Sequence, residues 1–204
     1  MRRFVIAAAL LFSIPVTALA DEGVENTRGL YGALDVGYHN PDGTVYGGNL
    51  QGGFAFNLRG GYRFDRWFAL ETGIFEGLSR RKGAGSSDLS AVAEIVTLDG
   101  RFYPLRPGRF EPNLLLGYTV AAGASSKSGS ATQTLAGHST NLGLGVRVNL
   151  DRHFFVDADY RHMFMRFTRV RYSGFGPGID GTFKTPKEYH GDDDAFLFGG
   201  GLQF

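Results

Sequence analysis

From residue 29 to the carboxyl terminus, apolar and polar residues alternate with period two in stretches of about ten residues, divided by polar or Pro/Gly-containing segments. The second stretch is the clearest: Phe54, Phe56, Leu58, Gly60, Tyr62 and Phe64 fall on one face, and Ala55, Asn57, Arg59, Gly61 and Arg63 on the other. The first, Gly29 to Tyr38, sets Leu30, Leu34, Val36 and Tyr38 against Ala33, Asp35 and Gly37. The third sets Phe68, Leu70, Thr72 and Ile74 against Ala69, Glu71 and Gly73, and the fourth, about Ala91 to Tyr103, sets Val96, Leu98 and Phe102 against Thr97, Asp99, Arg101 and Tyr103. The fifth carries Leu114, Leu116, Tyr118 and Val120 on its apolar face, and the sixth Leu142, Leu144, Val146, Val148 and Leu150. The seventh places Phe154, Val156, Ala158 and Tyr160 opposite Asp157, Asp159 and Arg161, and the eighth is Ala195 to Phe204. The pattern predicts eight strands.

The eighth strand ends on Phe204, with Phe196, Phe198 and Leu202 on the same face. An unpaired edge of that kind promotes aggregation, so the strand needs a neighbour on each side, and pairing with the first strand supplies the second one. The connections alternate in length. Those after the second, fourth and sixth stretches are short or built on Pro107-Gly108, whereas residues 40–52, 79–90, 125–140 and 168–194 read as long loops. Short turns on one rim and long loops on the other belong to outer-membrane barrels, with the short turns facing the periplasm. The expected fold is therefore all-β, an eight-stranded antiparallel transmembrane up-and-down β-barrel over residues 21–204, with both termini on the periplasmic side. Phe64, Phe68, Phe102, Phe154 and Phe204 fall at the turn-side strand ends and read as an aromatic girdle. A soluble binding barrel would show the reverse pattern, polar outside and apolar inside.

Residues 1–20 change the picture by adding an address. Arg2 and Arg3, an apolar run from Phe4 to Ile14, and Ala18-Leu19-Ala20 before Asp21 form a secretory signal pattern. Pro15 ends the apolar run well short of the roughly 20 residues that a membrane-spanning helix needs. With 204 residues and a formal charge of +1, the chain suggests one domain and no nucleic-acid partner. It has no cysteine, so an exported chain must draw stability from something other than disulfides.

With the apolar parity outward, the inner parity carries Asp35, Arg59, Arg63, Glu71, Asp99, Arg101, Arg147, Asp157, Asp159 and Arg161, five acids and five arginines. An eight-stranded barrel is filled by its side chains, and buried charges are tolerable only when paired. The equal numbers predict an interior salt-bridge network that plugs the barrel; the rival reading of the same groups is an ion path. Phe75, Ile95, Leu115, Phe155 and Leu197 share the inner parity and favour a packed interior, while Glu76 and Glu94 are expected outward, near the headgroup layer.

The chain resembles the small eight-stranded outer-membrane barrels of the OmpA/OmpX superfamily over its whole mature length. Gly199, Leu202 and Phe204 sit where that superfamily has its carboxyl-terminal assembly signal, although Leu197 departs from the polar residue usual at its start. The resemblance implies delivery by periplasmic chaperones to the barrel-assembly machinery. It does not extend to a periplasmic peptidoglycan-binding domain, since the chain ends at Phe204.

Three loop features bear on chemistry. His138 is followed by Ser139, and the one-residue step sends the two side chains to opposite faces, unlike the HxS motif of lipid A deacylases. His39, His153 and His162 have no serine at that spacing either. Glu188, His190 and Asp192-Asp193-Asp194 have no calcium-loop spacing and read as a solvated charge run, so no metal and no cofactor is assigned. Arg80, Arg81 and Lys82, with Arg166, Arg169 and Arg171, form a basic set at the height of lipopolysaccharide phosphates. The expected role is that of an integral outer-membrane protein of Gram-negative type, structural or engaged in surface interactions through its long loops. Lipid and lipopolysaccharide are its expected partners, and the sequence names no external ligand. A lipid A-directed hydrolase is the second reading and a narrow pore the third; no catalytic residue is assigned.

Overall fold

The computed structural model describes residues 28–41, 50–81, 89–105, 108–128, 131–174 and 180–204. The expected signal segment, residues 1–20, lies outside them. The strands are β1 Gly29–Pro41, β2 Leu50–Arg63, β3 Phe68–Arg81, β4 Leu89–Phe102, β5 Phe110–Ser128, β6 Ala131–Asn149, β7 Phe154–Ser173 and β8 Gly181–Gln203. All neighbours are antiparallel and the ring closes through β1 and β8, from Tyr31 opposite Gln203 to Pro41 opposite Asp193. The last strand thus has β7 on one side and β1 on the other, and the Phe204 N–H donates to the Leu30 carbonyl at 2.8 Å. Closure leaves no edge, which is the condition for placing strands in hydrocarbon, where no water can satisfy a free amide.

Lipid on the outside decides which parity faces where. Leu30, Leu34, Val36, Leu58, Leu98, Leu116 and Phe198 lie exposed on the outer wall, while Asp35, Arg59, Glu71, Asp99, Arg101 and Arg147 are buried inside. Phe64, Phe68, Phe102, Phe154 and Phe204 are all exposed at the turn-side rim, and the Phe64 and Phe68 rings stack with centroids 5.9 Å apart.

Two of the short turns share a local solution. In Asp65-Arg66-Trp67-Phe68, Asp65 Oδ1 accepts from the Trp67 and Phe68 N–H groups at 2.7 and 2.8 Å. In Asp151-Arg152-His153-Phe154, Asp151 Oδ1 accepts from the His153 and Phe154 N–H groups at the same distances, 2.7 and 2.8 Å. An aspartate side chain that caps its own turn in this way fixes where the chain reverses. The two N–H groups, His153 first, also hold the Asp151 carboxyl below the usual carboxylate range.

The strands run further than the alternation suggests. Residues 125–140 and 168–194, expected as long loops, are mostly strand, because β5 reaches Ser128, β6 begins at Ala131, β7 reaches Ser173 and β8 begins at Gly181. Residues 40–52 and 79–90 are likewise shortened by β1, β2, β3 and β4. The strands β5 to β8 have 19, 19, 20 and 23 residues against 13 to 14 for β1 to β4, so one wall of the barrel projects well past the other on the loop side. The projecting part has no lipid to face, so its outer positions need not be apolar and the alternation fades.

The register corrects a second expectation. Val96 has a φ of 62°, and the ladder passes from Gly73 opposite Thr97 directly to Ile74 opposite Ile95. One extra residue in a strand exchanges its two faces. Above this bulge Ile95 aligns with the outer residues Ile74 and Ala121, and Glu94 with the inner residue Phe75. Both positions are therefore opposite in register to the parity count.

Candidate functional site

The interior is layered. At the turn side, Tyr31, Ala33, Ala69, Tyr103 and Phe155 form an apolar floor, and on the loop side Ala55, Phe75, Ala124, Leu135, Met163, Met165, Phe167, Val170, Ala195 and Leu197 form an apolar cap. The network centred on Arg59, Arg101 and Arg161 fills the space between.

Arg59 is the hub. Its Nε donates to Asp35 Oδ2 at 2.9 Å and its Nη1 to Glu71 Oε1 at 2.8 Å, and Nη2 reaches both Asp35 and Asp157. Arg101 donates through Nη1 to Asp159 Oδ1 at 2.8 Å and to Asn113 Oδ1 at 2.7 Å, and through Nη2 to Glu71 Oε2 at 3.1 Å. Arg161 donates to Asp99 Oδ2 at 2.9 Å, and the Tyr31 hydroxyl donates to Glu71 Oε1 at 2.6 Å. Room for three of the aspartates comes from a glycine directly opposite each on the adjacent strand: Gly199 for Asp35, Gly117 for Asp99 and Gly145 for Asp159. A Cβ on these glycines would stand 2.1, 1.7 and 1.8 Å, respectively, from the Oδ1 of the facing carboxylate.

The sequence pattern names these ten residues but not their partners. Arg63 pairs with Glu111, at 2.7 and 3.1 Å, a further interior acid hidden in a segment that reads as a turn. Arg147 is fully buried, and none of its guanidinium nitrogens has a hydrogen-bond partner among the described residues. Its charge lies instead over Phe155, 3.8 Å from the ring centre, with Tyr31 at 4.7 Å and Tyr103 at 5.7 Å, a cation–π cage at the floor of the barrel.

The loop-side end holds an arrangement that no local motif announces. His39 Nδ1 lies 2.8 Å from Asp193 Oδ2, and His39 Nε2 lies 3.0 Å from Ser79 Oγ. Asp193, His39 and Ser79 belong to β8, β1 and β3, all point inward, and all are buried. The aspartate run is split by the alternation: Asp193 is inside, whereas Asp192 and Asp194 are outside. Asp194 accepts from the Tyr160 hydroxyl at 2.5 Å and pairs with His162 at 2.7 Å. Glu188 lies outside the described side chains. Ser139 is buried and donates to Asn141, while His138 sits on the other face beside Tyr118.

The basic set divides between opposite walls, because β3 and β7 are four strands apart in the ring. Arg80 is exposed at the end of β3, which closes on Arg81; Lys82 lies outside the described residues. On β7, the ladder shifts at Thr168, so Arg166, Arg169 and Arg171 are all exposed while Phe167 and Val170 are buried. His190 lies opposite Arg166 and the exposed Lys184 opposite Arg169. This column begins one outward position above Phe164, where the apolar band of β7 stops.

A closed ring with an apolar outer band, an aromatic rim and an ionic interior defines an integral outer-membrane β-barrel. The chain belongs to the outer membrane protein beta-barrel domain family, whose model matches residues 4–204. It is similar to Neisserial surface protein A, at 14% identity and a TM-score of 0.63, covering 86% of this chain and 97% of that one. It is also similar to OprG from Pseudomonas aeruginosa, at 14% identity and a TM-score of 0.56 over 89% and 99% of the two chains. The amino-terminal barrel domain of Pseudomonas aeruginosa OprF follows at 13% identity and a TM-score of 0.51 over 87% and 98%. At these identities the likeness is one of fold. No curated protein matches the sequence.

Proposed function

We propose that the protein is a non-conducting outer-membrane barrel whose projecting wall engages the phosphates of lipopolysaccharide. The observation that carries the reading is the exposed column of Arg166, Arg169, Arg171 and Lys184 directly above the apolar band. Phosphates of the outer leaflet lie at that height, and arginine binds them with two parallel hydrogen bonds. Replacing Arg166, Arg169 and Arg171 with Gln is expected to weaken lipopolysaccharide binding by the purified barrel about tenfold, roughly 1.4 kcal/mol shared among three exposed charges. Unchanged affinity removes the proposal.

The interior supports the non-conducting half of the reading. Arg59, Arg101 and Arg161 tie carboxylates of β1, β3, β4 and β7 across the lumen, between an aromatic floor and an apolar cap. Reconstituted in a planar bilayer, the protein is expected to give no steady current, and a stable open level would show an ion path through the same groups.

A further inference from the structure

The geometry points to a serine esterase site inside the mouth of the barrel, with Ser79 as nucleophile, His39 as general base and Asp193 as the group that orients it, acting on carboxylic esters of apolar acyl groups. The order of contacts is the one such chemistry requires. Asp193 accepts from His39 Nδ1 at 2.8 Å, which fixes the tautomer that leaves Nε2 free to accept the Ser79 proton at 3.0 Å. Both ring nitrogens are engaged, by an acid on one side and a hydroxyl on the other, in the order acid, imidazole, hydroxyl.

Three local features suit the role. Gly77 gives the imidazole its place, since a Cβ there would stand 2.5 Å from the ring. Phe75 meets the ring edge-on, with centroids 6.3 Å apart. The ladder between β2 and β3 runs from Gln51 opposite Arg80 to Phe54 opposite Leu78, so Gly52 and Gly53 together oppose Ser79 in a bulge. A bulge interrupts the ladder, and one made of two glycines brings bare backbone beside the serine's strand position.

The position also fits. Ser79 and His39 each lie two residues from the loop-side end of their strands, above the charged network. Met163 stands opposite Asp193 in the ladder and belongs, with Met165, Phe167, Phe75 and Leu197, to the apolar cap. Methionine side chains repack readily, so this cap can accept an acyl chain entering from the mouth. In the reaction, Ser79 Oγ bonds to the ester carbonyl carbon and its proton passes to His39 Nε2. His39 then gives that proton to the departing alcohol as the ester C–O bond breaks. Water hydrolyses the acyl-serine by the same proton route, and nothing is oxidised or reduced.

The test uses the full-length folded protein in detergent and in outer-membrane vesicles, with an alkyl fluorophosphonate as probe and peptide mass spectrometry as readout. The expected result is a phosphonyl adduct on Ser79, absent in Ser79→Ala and formed about a thousandfold or more slowly in His39→Ala and Asp193→Asn. Ser139→Ala, which removes another buried interior hydroxyl, is expected to label at the wild-type rate. The wild type is also expected to hydrolyse p-nitrophenyl octanoate faster than the acetate. A folded wild type that gives no adduct on Ser79, or an adduct whose rate His39→Ala leaves unchanged, overturns the site, and preference for acetate overturns the apolar acyl class. Labelling of the wild type does not depend on any variant folding.

Discussion

Arg59→Met is expected to lower the unfolding free energy of the barrel by about 3 to 5 kcal/mol, the cost of leaving buried carboxylates without their cation. Three acids on three other strands depend on this guanidinium: Asp35 on β1, Glu71 on β3 and Asp157 on β7. They do not depend on it equally. Glu71 keeps Arg101 and the Tyr31 hydroxyl, and Asp35 keeps the Asn57 amide at 2.7 Å. Asp157 faces the hub from across the lumen, so its loss of Arg59 should dominate. The measurement is equilibrium denaturation in detergent, followed by tryptophan fluorescence from the lone Trp67. A companion variant separates charge from shape: Arg59→Met with Asp157→Asn is expected to recover a substantial part of the loss, because the uncompensated charge is removed along with its partner. A single variant within about 1 kcal/mol of wild type would show that the network contributes nothing beyond filling space.

The alternation carries the fold because lipid inverts the usual rule, so the strands announce themselves by apolar side chains on the outside. It is strongest where strands cross the membrane, as in β2 and the first part of β7, and weakest where β5 to β8 rise beyond it. There Ser125 to Thr140 offers no apolar face to read. Parity alone also finds the ten interior charges, since a charge opposite a lipid-facing position has nowhere else to go. What parity cannot supply is partnership. Glu111 is hidden by the prolines around it, and with Arg63 already held by Glu111, Arg147 turns to aromatic rings. The bulge at Val96 leaves no mark in composition either, yet it shifts the register of β4 by one residue beyond it.

Ser79, His39 and Asp193 illustrate the limit more sharply. Ser79 lies 40 positions from His39, and Asp193 lies 154 from it, so no spacing motif could join them. A search for a histidine beside a serine looks along one strand, where alternation sends neighbours to opposite faces. Closure of the ring is what brings β8 beside β1, and antiparallel register is what levels Asp193 with the end of β1. Ser79 and Asp193 fall in segments that the alternation reads as loops, 79–90 and 168–194, so their inner parity emerges only because β3 and β8 extend past them.

Deleting Phe204 is expected to lower the amount of protein in the outer membrane several-fold while changing the stability of the refolded barrel by no more than about 1 kcal/mol. The two effects come apart because the residue has little to do in the finished structure. Its side chain is 72% exposed at the turn-side rim, and its backbone contributes one hydrogen bond, to the Leu30 carbonyl at 2.8 Å. Leu202 and Gly199 differ in this respect, since both sit within the ladder and Gly199 leaves space for the Asp35 carboxylate. Substituting either one would mix any assembly defect with a packing defect, whereas removal of Phe204 tests the expected assembly signal with little change in packing. The check is quantitative: outer-membrane abundance by immunoblot beside denaturation of protein refolded from urea. Normal abundance would mean that the terminal aromatic ring serves the lipid-facing girdle alone, and a large loss of refolded stability would mean that the seam between β1 and β8 depends on its last residue.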